Sequence, residues 1–281
     1  MKKKNKLPGQ LGTLLKYAFL IAGALTMLFP FLWMILTAFK TLDESIRIPP
    51  IWFPKEWMAV NFKTVFDTAP FGQYFINTCI IATISTLLAV VVTVLASFAF
   101  SVLEFKGKKF WFWLFLSTMM VPTELLIIQN YVTVSHLGWL DTYQGIIIPT
   151  LASGFYIYML REYFMQVPPI LYKAAKIDGC SDWRYLWKVM VPMSKNAIAT
   201  ISILHFITTW NSFLWPLMVT NSPDKRVLTT GLMYFNNDAS SFVNLQMAGA
   251  CVVILPMVVF YRIFIKQIIN GVAPVSYTHL V

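Results

Sequence analysis

Lys173-Ala-Ala-Lys-Ile-Asp-Gly-Cys-Ser-Asp-Trp-Arg-Tyr-Leu-Trp-Lys-Val-Met-Val-Pro192 is a polar interruption between long apolar runs. Outward from it the chain reads as membrane. Of 281 residues, 58% are hydrophobic and 12% charged, roughly half the charged share of a soluble domain. Soluble packing cannot hide that much apolar surface, so lipid is the solvent for much of it. A folded, charged module between two spans has little physical reason to exist unless something docks there. Residues 173–192 therefore read first as a contact surface.

Six spans of about twenty residues are expected: 17–39, a second within 71–103, 110–131, 143–160, 197–219 and 247–264. The third must run past Glu124 to reach a spanning length. The sixth lets Arg262 snorkel at its inner end. Sixteen Lys and Arg fall on one side of this topology, from the Lys2–Lys6 cluster through Lys106–Lys109, 161–195 and Lys266; six fall on the other. The positive-inside rule then puts both termini and the 173–192 module in the cytoplasm. The basic excess of +10 is thus topological, and nucleic-acid binding is a poor reading. The N-terminal MKKKNK resembles a signal peptide, but the apolar run after it is too long for an h-region, so an uncleaved first span is expected. Cys79, Cys180 and Cys251 have neither metal nor CxxC spacing and read as small buried hydrophobes.

Two outer segments differ in character. Residues 40–70 are rich in Pro, Trp and Phe and suit an interfacial lid; 221–245 are polar and read as exposed. No internal repeat is visible, which weakens a secondary carrier built from inverted halves.

Within the module, Pro168-Pro169 stops one helix, and Ile170, Leu171, Ala174, Ala175 and Ile177 then share a face of the next. Asp178-Gly179 is a turn. Ser181 or Asp182 caps a second helix, with Trp183, Leu186, Trp187, Met190 and Val191 as its expected apolar face and Pro192 as its end. Lys173, Lys176, Arg184 and Lys188 fall on wetter faces. From the residues alone, a helix pair lying on lipid headgroups and a docking module are both open.

The spacing resembles the EAA loop of importer-type ABC permeases: E-A-A, three residues, Gly, nine residues, then I-x-L-P. Here it is Lys173-Ala174-Ala175, three residues, Gly179, nine residues, then Val189-Met190-Val191-Pro192. Lys173 replaces the Glu with reversed charge, Cys180 the usual Ala, and Val both Ile and Leu. The likeness extends over roughly 71–273. Met120-Val-Pro-Thr-Glu124, Leu137-Gly-Trp-Leu-Asp-Thr-Tyr143, Trp210-Asn-Ser-Phe-Leu-Trp-Pro216 and Ala248-Gly-Ala250 with Pro256 resemble the sugar-permease branch, which includes maltose, glycerol-phosphate and oligosaccharide permeases.

The resemblance implies an all-α, polytopic permease of the type I importer fold in a bacterial inner membrane. Residues 1–70 would carry the N-terminal tail, first span and outer loop, 71–265 the permease domain with its coupling loop at 161–196, and 266–281 a tail. Pro274–Val281 departs from the family and reads as non-native. The implied partners are a second permease chain, a cytoplasmic ATPase dimer, an extracytoplasmic solute-binding protein, a sugar and membrane lipid. Lys173, Ala174, Ala175, Asp178, Gly179 and Pro192 would form the ATPase contact, and residues 221–245 the loop that meets the binding protein. The chain has no GxxxxGK[ST], so no cofactor of its own is implied and ATP belongs to the partner.

Candidate substrate-path residues are Glu124, costly inside a membrane, with Asn130 and Tyr131 near it. His205 stands alone in its span, where a helix–helix hydrogen bond explains it more readily than a ligand does. Trp210, Asn211 and Trp215 offer aromatic faces and an amide suited to a sugar, with 211 and 215 expected on one face; bundle packing explains them equally. Two rivals stand beside the importer. An ion-coupled carrier would need intramembrane acid pairs. An intramembrane enzyme would need HExxH, GxSxG or paired Asp, none of which is present.

Overall fold

The computed structural model describes residues 7–237 and 240–272, and the tail 274–281 lies outside them. In chain order the helices are α1 (Leu7–Ala38), α2 (Leu42–Ile46), α3 (Val60–Thr68), α4 (Phe71–Ser101), α5 (Lys108–Ser117), α6 (Ile127–His136), α7 (Tyr143–Ile147), α8 (Gly154–Met165), α9 (Pro169–Ile177), α10 (Asp182–Tyr185), α11 (Val191–Met193), α12 (Lys195–Trp210), α13 (Leu214–Val219), α14 (Leu228–Gly231) and α15 (Val243–Val272). The only strand pairing among the described residues is Asn236–Asn237 with Ser240–Ser241, so the fold is all-α.

Two compact units divide the chain. The first holds the described residues of 7–69 and 232–255. Its α1 is long and apolar enough to cross a membrane. The segment after α1 is more than a lid of Trp and Pro. Lys40, one of the six basic residues that the topology count puts on the outer side, is buried: its ammonium donates to the Ile51 carbonyl at 2.7 Å and lies 4.1 Å from the Trp33 ring centre. Asn61 then ties the segment down by donating to the carbonyls of Ala38 and Lys40, both at 2.9 Å.

The second unit holds the described residues of 70–231 and 256–272. Its spine is α4, which is also of spanning length and composition. Small and hydroxyl residues (Ala82, Ser85, Ala89, Thr93, Ser97) recur about every turn on its buried face. They let α8 and α12 pack closely, as small residues do where lipid supplies no hydrophobic drive between helices.

Three expected spans are interrupted. The third is two helical stretches meeting at 91° around Val121-Pro122: Pro122 offers no N–H and pushes Val121 out of the helical region, to ψ 116. The fourth breaks at 151–153 between a short 3-10 turn and α8. The fifth stops at Trp210 and resumes as α13. Asn211 caps α12 by donating to the Ile207 carbonyl at 2.9 Å. The Ser212 carbonyl, which Pro216 cannot serve, accepts from Thr229 Oγ1 at 2.6 Å. Asn211 and Trp215 therefore sit on different helices and do not share a face.

Candidate functional site

The module around residues 169–193 is built by local rules. Pro169 opens α9 at a position where its missing N–H costs nothing. The helix closes in a Schellman turn: the Cys180 N–H donates to Ala175 O at 2.8 Å and the Gly179 N–H to Lys176 O at 3.1 Å. Gly179 supplies the left-handed φ of +71° that this turn requires. A side chain there would meet no atom of this chain within 4 Å, so its steric freedom serves the backbone. Ser181 Oγ then accepts from the Arg184 N–H and caps α10.

Between α10 and α11 lies a five-residue π turn, Leu186–Met190. This wider turn rotates the faces that a 3.6-residue period would assign. The buried residues are Tyr185, Leu186 and Met190, whereas Trp183 and Trp187 of the expected apolar face are exposed. Pro192 does not end the helix either. It sits inside α11, and the break comes at Ser194; the π turn before it accommodates the missing N–H.

One side of the module is fixed to the bundle. Tyr185, Leu186 and Met190 form a single core with Val94 and Phe98 of α4, Leu160 and Phe164 of α8, and Ala197 and Ile201 of α12. Ala175, Tyr172 and Cys180 pack against that core. Each fully buried large apolar side chain contributes about 1.5–3 kcal/mol, so the module moves with these helices. A polar strut joins α9 to α10: Lys176 Nζ lies 2.7 Å from Asp182 Oδ1, to which Tyr172 OH donates at 2.7 Å. Burial and this bond both push the Tyr172 phenol up, keeping it a donor. The other side of α9 is open. Lys173 and Ala174 are exposed, as are Ile170 and Ile177, an apolar pair without cover among the described residues. Asp178 caps the C-terminus of α9.

The substrate-path candidates are not gathered in one place. Glu124 is exposed in a 3-10 turn at the elbow of the broken third span, and Asn130 is exposed on α6. Tyr131 and Trp215 meet in an apolar cluster around Ile81, Val134, Ile146 and Val219, where the Trp215 N–H donates to Ile146 O at 3.2 Å. His205 is buried, its Nδ1 3.2 Å from Thr86 Oγ1 and 3.3 Å from Thr209 Oγ1. That is the helix–helix hydrogen bond expected of a lone intramembrane histidine. Trp210 is buried against Phe75 and Phe206, and its indole N–H has no partner among the described residues. Asn211 spends its amide on the helix cap.

A clamp that the sequence reading missed lies at the other end of α4. The Asn77 side chain donates to the carbonyls of Asp224 and Arg226, both at 2.8 Å, and accepts from Tyr143 OH at 2.8 Å and Gln73 Nε2 at 3.0 Å. Asp141, in the left-handed region at φ +59°, accepts from the Asn221 and Ser222 N–H groups, each at 3.0 Å. Burial raises its carboxyl, but these bonds and Lys225 outweigh that and hold it below the usual range. Residues 221–231 are therefore strapped down: Asn221, Pro223 and Asp224 are exposed as expected, but Val227, Leu228 and Thr230 are buried. Polar composition hid this because the anchors lie some 80 and 150 residues upstream.

No group of His, Cys, Asp and Glu among the described residues could hold a metal. Residues 90–272 match the binding-protein-dependent transport system inner membrane component family. The chain belongs to that family. It is a membrane permease component, a transport protein and not an enzyme, and the ion-coupled carrier reading finds no support. Its relatives include the diacetylchitobiose uptake system permease NgcG of Streptomyces coelicolor, 29% identical over 92% of this chain and 87% of that one. The arabinooligosaccharides transport system permease AraQ of Halalkalibacterium halodurans is 30% identical over 86% and 88%. The sn-glycerol-3-phosphate permease UgpE of Yersinia enterocolitica is 27% identical over 91% and 94%. A bacterial ABC transporter that imports the acidic polysaccharide alginate shares the fold at TM-score 0.80 and 21% identity, covering 95% of this chain and 98% of the other.

Proposed function

We propose that the chain is one permease subunit of an ATP-driven carbohydrate importer, and that the 169–193 module is its coupling element. One observation carries this. The module is packed into α4, α8 and α12 on one side, while Ile170, Lys173 and Ile177 stand exposed on the other. A cytoplasmic ATPase subunit seated on that tip, against Lys173, Ala174, Asp178 and Gly179, would drag three helices with it, while Ala175 packs toward the bundle core. ATP-driven closure of the ATPase dimer then biases a two-state bundle, since a ligand shifts an equilibrium only by its unequal affinity for the two states. Pro192 is exposed within α11, thirteen residues beyond Gly179.

The substrate is a sugar or polyol phosphate. Relatives are named for diacetylchitobiose, arabinooligosaccharides and sn-glycerol-3-phosphate. A similar alginate transporter, TM-score 0.67, is described in complex with a periplasmic protein carrying an alginate pentasaccharide, which supports an extracytoplasmic binding protein here. A second permease chain completes the pathway. The Lys and Arg asymmetry puts the module and both termini in the cytoplasm. Among the substrate-path candidates Trp210 ranks first, because its indole N–H is free to meet a hydroxyl if the bundle opens. Trp215 and Asn211 are already satisfied within the fold.

The test is Gly179→Asp in the assembled importer. At φ +71° an Asp is one of the few side chains the backbone tolerates, so the change chiefly adds a carboxylate at the docking tip. Uptake should be lost while membrane insertion is retained. Unchanged uptake would overturn the coupling role.

A further inference from the structure

The second half of the module has a surface that neither the bundle core nor the exposed tip of α9 accounts for. Trp183 and Trp187 are 63% and 37% exposed and pack edge-to-face with ring centres 5.6 Å apart. Beside them, one residue further round the helix, Arg184 and Lys188 are exposed and make no ion pair among the described residues. Lys195, at the start of α12, is exposed as well.

Orientation follows from the backbone. The helical stretch Asp182–Met193 is turned 81° from Lys195–Trp210. If α12 crosses the bilayer, this stretch lies close to the membrane plane, at the inner end of α12. A helix in that plane, with an aromatic stripe bordered by a basic one, has the composition of an interfacial helix. Indole rings favour the headgroup level, and unpaired cations favour anionic lipid.

We propose that Trp183, Trp187, Arg184 and Lys188 form a lipid contact that seats the second helix of the module on anionic phospholipid. The exposed tip of α9 is left to the ATPase. The partner is lipid rather than protein on two grounds: the in-plane attitude of the helix and the charge complementarity of its basic stripe. The contact would give the module a fulcrum, so that a push on α9 turns about the Trp pair and is transmitted through Tyr185 to α4. The proposal goes beyond the coupling role and rests on the same module being cytoplasmic.

The experiment uses the whole importer in proteoliposomes, with p-benzoylphenylalanine replacing Trp187 and, separately, Ile177. Vesicles are phosphatidylcholine with or without phosphatidylglycerol. Irradiation at position 187 should give a phospholipid adduct, enriched for phosphatidylglycerol when it is present. An adduct to the ATPase subunit from position 187, or none to lipid, overturns the proposal. Position 177 reports separately on ATPase docking, so the two readings fail independently. A second arm uses Arg184→Gln with Lys188→Gln. Each basic group near an anionic surface is worth about fivefold in partitioning, so the pair should lower the phosphatidylglycerol preference at 187 by up to roughly 25-fold. Undiminished preference in that variant overturns the charge assignment.

Discussion

Lys176 and Asp182 close the two halves of the module on each other, Nζ to Oδ1 at 2.7 Å, with Tyr172 OH donating to the same oxygen. The bonds from Lys176 and Tyr172 hold the Asp182 carboxyl below the ordinary 3.8, and the bond to Asp182 lifts the Lys176 ammonium above 10.5. A depressed carboxylate contributes fully above its unfolded value and loses that contribution as pH falls through its folded one. A raised ammonium contributes fully below its unfolded value and loses that as pH rises through its folded one. The strut therefore stays intact throughout the neutral range.

Asp182→Asn should weaken coupling by no more than about fivefold, since an ion pair this open to solvent is screened and contributes little. Transport-linked ATP hydrolysis measures this. The charge-swapped pair Lys176→Asp with Asp182→Lys should recover most of it, and the wild type should show no step attributable to this pair across neutral pH. A swapped pair as impaired as Asp182→Asn would show that the strut is not electrostatic.

Tyr185→Ala should empty the centre of the core shared by the module with α4, α8 and α12, at about 3–5 kcal/mol for a large aromatic. Thermal unfolding of the purified protein should drop accordingly, and uptake should fall further than ATPase binding does. Tyr185→Phe should keep both close to wild type. Equal loss in the two variants would place the effect in the hydroxyl instead of the packing.

Tyr185 also shows where sequence reading runs out. Turn chemistry was legible: Gly179 and Ser181 do what their residue types dictate. So was the all-α, membrane character, because composition determines it. Face assignment failed at Tyr185 because a π turn shifts the period, and only packing reveals that turn. The elbow at Val121-Pro122 was hidden because 110–131 has the length of a single span, although Pro122 marked the place. Lys40 and Asn77 were unreadable because the groups they donate to are backbone carbonyls, which every residue has.

Asn77→Asp should release the strapped loop at 221–231. Its two donated bonds, to Asp224 and Arg226, would become oxygen facing oxygen, and an unsatisfied buried group costs about 1–3 kcal/mol. Hydrogen exchange in 224–231 should accelerate by one to two orders of magnitude, following that energy, with little change in α9. Unaltered protection there would mean that Asp141 alone holds the loop.

The central claim is that the exposed tip of α9 is where an ATPase subunit seats. Its most direct measurement is photo-crosslinking from position 173, with p-benzoylphenylalanine in place of Lys173, in the assembled importer with and without ATP. The predicted result is a covalent adduct to the ATPase subunit whose yield changes with nucleotide. Capture of phospholipid alone, in both nucleotide conditions, would contradict it.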